Sequence, residues 1–124
     1  MNTKMKLNKL TDEETSVILG KATEAPFSGE YDNFYKKGMY VCRQCNNPLY
    51  SSKAKFDAGC GWPAFDDFIE NGVKITDNSD GMGYEIVCAK CGGHLGHVYT
   101  GEHFTTTDTR HCVNSLSIKF VLEK

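Results

Sequence analysis

The sequence predicts a mainly β protein carrying one or two short helices. Three observations predict it: short alternating or β-rich runs recur along the chain, clusters of Gly, Asn and Asp separate them, and helical periodicity is hard to find beyond the first twenty or so residues. Thr11-Asp-Glu-Glu14 has the form of a capping box, in which the Thr11 hydroxyl and the Glu14 carboxylate each satisfy the other's backbone amide, and Gly20 supplies a stop. A helix is therefore expected over 12–19. Strands are expected at 39–42, 73–76, 84–88, 97–99 and 116–121, the last placing Leu116, Ile118 and Phe120 on one face. Twelve glycines and the turn-forming run at 77–81 (Asp-Asn-Ser-Asp-Gly) fit antiparallel strands joined by tight loops. A second short helix is expected around Trp62-Pro63.

At 124 residues the chain has the size of one domain, 1–124, with room for one modest core. Fourteen Lys and Arg against sixteen Asp and Glu leave a formal charge of −2. That balance provides no basic field for a nucleic acid or an anionic membrane, so neither is expected as a partner. The first ten residues carry three lysines with no apolar run of signal-peptide length behind them, and no stretch approaches the length of a membrane span. A cytoplasmic protein is expected, in which structural disulfides are disfavoured.

Six cysteines are many for so short a chain, and spacing sorts them into two pairs, Cys42/Cys45 and Cys88/Cys91, and two singles, Cys60 and Cys112. The pairs sit in a shared frame, V-C-x-x-C-x-x-x-L, at 41–49 and 87–95. Each reads as a strand running into a tight turn, followed by Asn-Asn or Gly-Gly, the residue types that tolerate a left-handed backbone. Two such pairs supply the four thiolates that tetrahedral zinc prefers. The 42 residues between Cys45 and Cys88 exceed the spacing of a simple ribbon, so a metal here would join two distant hairpins. A redox Cys-x-x-C, which needs a βαβ context not found here, and plain buried thiols are the alternatives. Zinc with four protein ligands has no open position, so chemistry would lie elsewhere. A zinc deaminase is set aside, because no histidine is followed by Glu two residues later.

Around Cys112, Arg110 and His111 offer positive charge, which favours the nucleophilic thiolate. His94 and His97 in the preceding segment have the chemistry of a proton donor near neutral pH. Trp62 and Phe65, close to Cys60, have the character of an apolar pocket wall. Each also has a plainer reading: an inert buried thiol, core aromatics, loop histidines or a substitute metal ligand, a solvated Arg. A non-catalytic zinc-ribbon-like interaction module is the competing function on the cysteine pairs alone.

Five ordered blocks decide between these readings: Pro26-Phe-Ser-Gly-Glu-Tyr31, Tyr40-Val-Cys-Arg-Gln-Cys45, Gly59-Cys-Gly-Trp-Pro-Ala-Phe65, Cys88-Ala-Lys-Cys-Gly-Gly-His-Leu-Gly-His-Val98 and Arg110-His-Cys-Val-Asn-Ser115. With them the chain resembles, over nearly its whole length, the peptide-methionine (R)-S-oxide reductases, the methionine sulfoxide reductase B family. The resemblance implies a β-tent of two antiparallel sheets and one structural zinc on Cys42, Cys45, Cys88 and Cys91. It implies Cys112 as nucleophile, Cys60 as the thiol that resolves a Cys112 sulfenic acid into a disulfide, and Trp62 against the substrate methyl group. It places His94, His97, Arg110 and Asn114 around the sulfoxide, with His97 as the chosen acid. It further implies thioredoxin as reductant and methionine-R-sulfoxide in oxidised proteins as substrate; a monomer is expected. The chain departs from the family pattern at Gly101, where an Asp is common and Glu102 follows, and at Ala64, Tyr99 and His111.

Overall fold

The computed structural model describes residues 7–32, 34–79, 84–101 and 105–122. One helix, α1 (Asp12–Ile18), opens the fold, and its capping box forms as expected: Glu14 N–H donates to Thr11 Oγ1 at 3.2 Å and Thr11 N–H to Glu14 Oε1 at 2.9 Å. Val17 and Ile18 are its buried residues, and Ile18 lies so close to Gly93 that a Cβ there would meet Ile18 Cγ2 at 2.7 Å. The helix is thereby seated on the second cysteine turn.

Among the described residues nine strands follow: β1 (Gly38–Cys42), β2 (Pro48–Ser51), β3 (Lys55–Phe56), β4 (Ala64–Phe65), β5 (Val73–Ser79), β6 (Tyr84–Cys88), β7 (His94–Thr100), β8 (Thr109–Val113) and β9 (Ile118–Leu122). They form two antiparallel sheets, one of three strands in the order β2-β1-β9 and one of six in the order β3-β4-β8-β7-β6-β5. All five expected strands are present, and the mainly β fold of two antiparallel sheets is the one observed. The short strands β2, β3, β4 and β8 add to it.

Three local expectations change. No helix forms around Trp62-Pro63: Gly59 and Gly61 take positive φ of 68° and 94°, and the Pro63 carbonyl accepts from Val113 N–H at 3.0 Å, which draws the segment onto the large sheet as β4. The helical turns are instead two 3-10 turns at Ser52–Ala54 and Ser115–Ser117. The second takes Leu116 out of the strand, leaving Ile118 and Phe120 as the inward pair of β9. Asp77 to Ser79 continue β5 where a turn is expected, and the remaining Asp80 and Gly81 of that run, like Glu102, lie outside the described residues.

The core lies between the sheets. Tyr40 of β1 meets Phe65 of β4 edge-on, ring centroids 5.1 Å apart, and Phe65 stacks on Tyr50 of β2 at 4.2 Å and 13°. Phe65 is fully buried in this cluster with Leu49, Ile86, Leu95, Val113 and Ile118. It is a core residue in place of the expected pocket wall, because as a neighbour of Ala64 in β4 it takes the face of the sheet that Ala64 and Cys112 do not.

Candidate active site and four-cysteine clamp

The two Cys-x-x-C turns have one backbone construction. In the first, Asn46 N–H donates to Cys42 O at 2.8 Å and Cys42 N–H to Asn47 O at 2.8 Å; in the second, Gly92 N–H donates to Cys88 O at 2.9 Å and Cys88 N–H to Gly93 O at 2.9 Å. Each turn needs one left-handed residue, which Asn46 supplies at φ 66° and Gly92 at φ 77°. The turns end β1 in one sheet and β6 in the other, and they bring all four sulfurs within 4.8 Å of one another. Cys42 and Cys91 approach to 3.6 Å, Cys45 and Cys88 to 3.5 Å. Gly93 N–H and the Asn47 side-chain amide point donors at two of the sulfurs. This is a preformed, mostly buried four-thiol set able to hold one metal ion.

The other two cysteines meet at the large sheet. Across β6, β7, β8 and β4 the register sets Glu85 opposite His97, His97 opposite Cys112 and Cys112 opposite Ala64. Opposed residues in an antiparallel pair share a face, so these four form one row. The alternate face of β8 carries His111 and Val113, both sealed from solvent. Gly96 permits the close approach of β7 to β8, since a Cβ there would collide with the Cys112 carbonyl.

His111 therefore lies beside Cys112 in sequence and behind it in space. Its Nδ1 shares a 2.9 Å hydrogen bond with the Tyr50 hydroxyl, and Phe68 covers it at a ring distance of 5.3 Å. Burial pushes its imidazole down to about 4. Near neutral pH His111 is uncharged and lends Cys112 no positive charge, contrary to the sequence expectation. Arg110 does, being two residues from Cys112 and on its face; its guanidinium packs 4.4 Å over the Tyr99 ring and draws both sulfurs toward the thiolate.

Cys60 arrives from the loop before β4, with its sulfur 3.7 Å from that of Cys112 and 3.4 Å from the Trp62 carbonyl. Both thiols are free. At this distance they share a proton. The hydrogen bond from Cys112, helped by Arg110 and opposed by burial, brings Cys60 down to about 6, while the same hydrogen bond and burial push Cys112 up. The pair thus holds one anion near neutral pH and resists a second.

A cleft of about 200 Å³ opens beside this pair, bordered by Cys112, Trp62, His97, Tyr99, Asn114 and Lys21. Trp62 is fixed by its indole N–H, which donates to the Glu24 carbonyl at 2.9 Å. Glu24 N–H in turn donates to Asn114 Oδ1 at 3.0 Å, and Asn114 Nδ2 to the Leu95 carbonyl at 3.0 Å. Asn114 thus ties the indole's support to β7 and is committed to backbone groups. His94 is buried at 3% exposure, bonded to Glu85 and edge-on to His97, and is not among the side chains bordering the cleft. Among the described residues, those lining a larger hollow of about 710 Å³ near Lys37, Met39 and Lys53 include no thiol, imidazole or carboxylate. Lys21, Thr23 and Glu24 have no motif to mark them, and Glu85 has only its place in the expected strand at 84–88.

A reactive thiol pair beside a guanidinium, opening on a cleft with an indole and an imidazole, defines a thiol oxidoreductase. The chain belongs to the SelR domain family, whose model matches residues 10–122. It is 54% identical over 112 residues to the peptide methionine sulfoxide reductase B5 of Oryza sativa subsp. japonica, covering 90% of this chain and 82% of that one. Against the peptide methionine sulfoxide reductase B3 of Arabidopsis thaliana it is 55% identical over 112 residues, covering 90% and 64%. With the chloroplastic B2 reductase of the same plant the identity is 51% over 115 residues, covering 92% and 57%.

Proposed function

We propose that the chain is a peptide-methionine (R)-S-oxide reductase that repairs oxidised proteins with thiols recycled by thioredoxin, working as a monomeric domain in the reducing cytoplasm. The observation that carries this reading is the Cys112 sulfur in the wall of the Trp62–His97 cleft, with a second thiol 3.7 Å behind it. Trp62 packs on the S-methyl group. The Cys112 sulfur, passing its proton to the Cys60 thiolate beside it, attacks the sulfoxide sulfur while His97, opposite it on β7, protonates the oxygen. The methionine sulfur gains two electrons and Cys112 loses two, leaving methionine and a Cys112 sulfenic acid. Cys60 then attacks that sulfur, expelling the oxygen as water and forming a disulfide, for which the sulfurs close from 3.7 Å to about 2.05 Å. A dithiol protein reduces it back to two thiols. Since the sulfoxide is chiral at sulfur, the single wall of Trp62 selects one epimer.

The four-cysteine set fits zinc in its donors and spacing: bonds of about 2.3 Å in a tetrahedron require sulfur separations of about 3.8 Å, beside the 3.6 and 3.5 Å seen for two of the pairs. Bound there, zinc supplies cross-linking between the sheets and no open position for chemistry. Incubation with each sulfoxide epimer and dithiothreitol, followed by measurement of methionine, tests the proposal. Turnover of the R epimer alone is expected; turnover of neither, or of both equally, overturns it.

A further inference from the structure

Glu85 has no part in the steps above, yet its carboxylate is bonded twice inside the molecule. Its side chain is 8% exposed; Oε1 accepts from Lys21 Nζ at 3.2 Å and Oε2 lies 2.9 Å from His94 Nδ1. Burial opposes its ionisation, but the hydrogen bonds from His94 and Lys21 prevail and hold the carboxyl below its usual range. An ionised carboxylate only accepts, so the hydrogen sits on His94 Nδ1. Burial, outweighing the pull of Glu85, keeps His94 toward the neutral form. A neutral ring protonated on Nδ1 leaves Nε2 as a bare acceptor, and this atom is buried without a protein partner.

His94 and His97 are three residues apart in a strand, which in a regular pleat sends them to opposite faces. They share a face because β7 bulges at Leu95: Ile86 pairs with Gly96 while Val87 pairs with His94, so one residue is left over. The two rings then stand edge-on, centroids 5.7 Å apart at 71°. The charged or titratable groups that face His94 are Glu85 from β6, Lys21 from the segment after α1, and His97 from its own strand.

We propose that Glu85 is a positioning residue for the reduction: it fixes His94 as the Nδ1–H tautomer, and His94 in turn holds His97 where it serves as the acid at the sulfoxide oxygen. This inference rests on the sulfoxide reduction proposed above.

Glu85→Gln keeps the size of the side chain and an oxygen for His94 Nδ1–H, and removes the charge. The expected result is a fall in kcat of about tenfold or more with KM little changed. Glu85→Asp, which keeps the charged acceptor for His94, recovers most of the lost kcat. A Gln variant with the parent's kcat overturns the proposal. If the parent reduces neither epimer, the reduction itself fails, and the imidazole nitrogen shifts of the folded parent still decide the role of Glu85. Protonation of His94 on Nδ1 near neutral pH supports it, and protonation on Nε2 overturns it. The same spectrum decides if the Gln variant does not fold.

Discussion

The four-thiol clamp and the thiol pair are made of one residue type and differ in what surrounds it. In the clamp, each pair comes from one tight turn, backbone and side-chain donors face the sulfurs, and three of the four cysteines are buried. At the cleft, each cysteine comes from a different element, a guanidinium stands beside both sulfurs, and Cys112 opens on a space of about 200 Å³. Closure makes the first set a ligand cage; a single open side with a positive neighbour makes the second reactive.

Breaking the clamp has the largest expected effect. Cys88→Ser should lose the metal and unfold, since coordination of this kind supplies several kcal/mol of folding free energy; circular dichroism and metal content check it. Next, Cys112→Ser should cut sulfoxide reduction by about a thousandfold or more while the protein stays folded and retains about one zinc per chain, read by the epimer assay and metal analysis. Loss of zinc in that variant would merge the two sets. Cys60→Ser should leave one equivalent of methionine formed per chain and stop recycling by thioredoxin, with a sulfenic acid on Cys112 detectable by mass spectrometry. The smallest effect concerns the strand behind the pair. Burial holds His111 near 4 against an ordinary 6.5, so the unfolded chain binds more protons between those values. The stabilisation is complete above about pH 6.5 and is lost as pH falls through about 4, to the extent of about 3 kcal/mol. Urea midpoints at pH 7 and pH 4 should diverge in the parent and converge in His111→Phe.

The clamp was legible in the sequence because its geometry is local: the Cys-x-x-C spacing and the residues after it already specify a turn with one left-handed position, found at Asn46 and Gly92. The helix was legible for the same reason, its cap lying within four residues. What was not legible is set by pairing between distant strands. Arg110, His111 and Cys112 read as one cluster along the chain, and only membership of a strand separates His111 to the far face. Phe65 reads as a neighbour of Trp62, whereas pairing of β4 with β8 turns it into the core. The cradle of Trp62 depends on Glu24 and Asn114, ninety residues apart, whose contact no spacing encodes.

The bulge at Leu95 makes chain length part of the site. Deleting one residue between Cys91 and His97 would restore a regular pleat and send one of the two histidines to the other side of the sheet, with the cysteine turn fixed upstream and Cys112 fixed opposite. Substitutions in this stretch can be absorbed one side chain at a time, but a change of length cannot. In descendants of this sequence, insertions and deletions should accordingly be absent from 91–97.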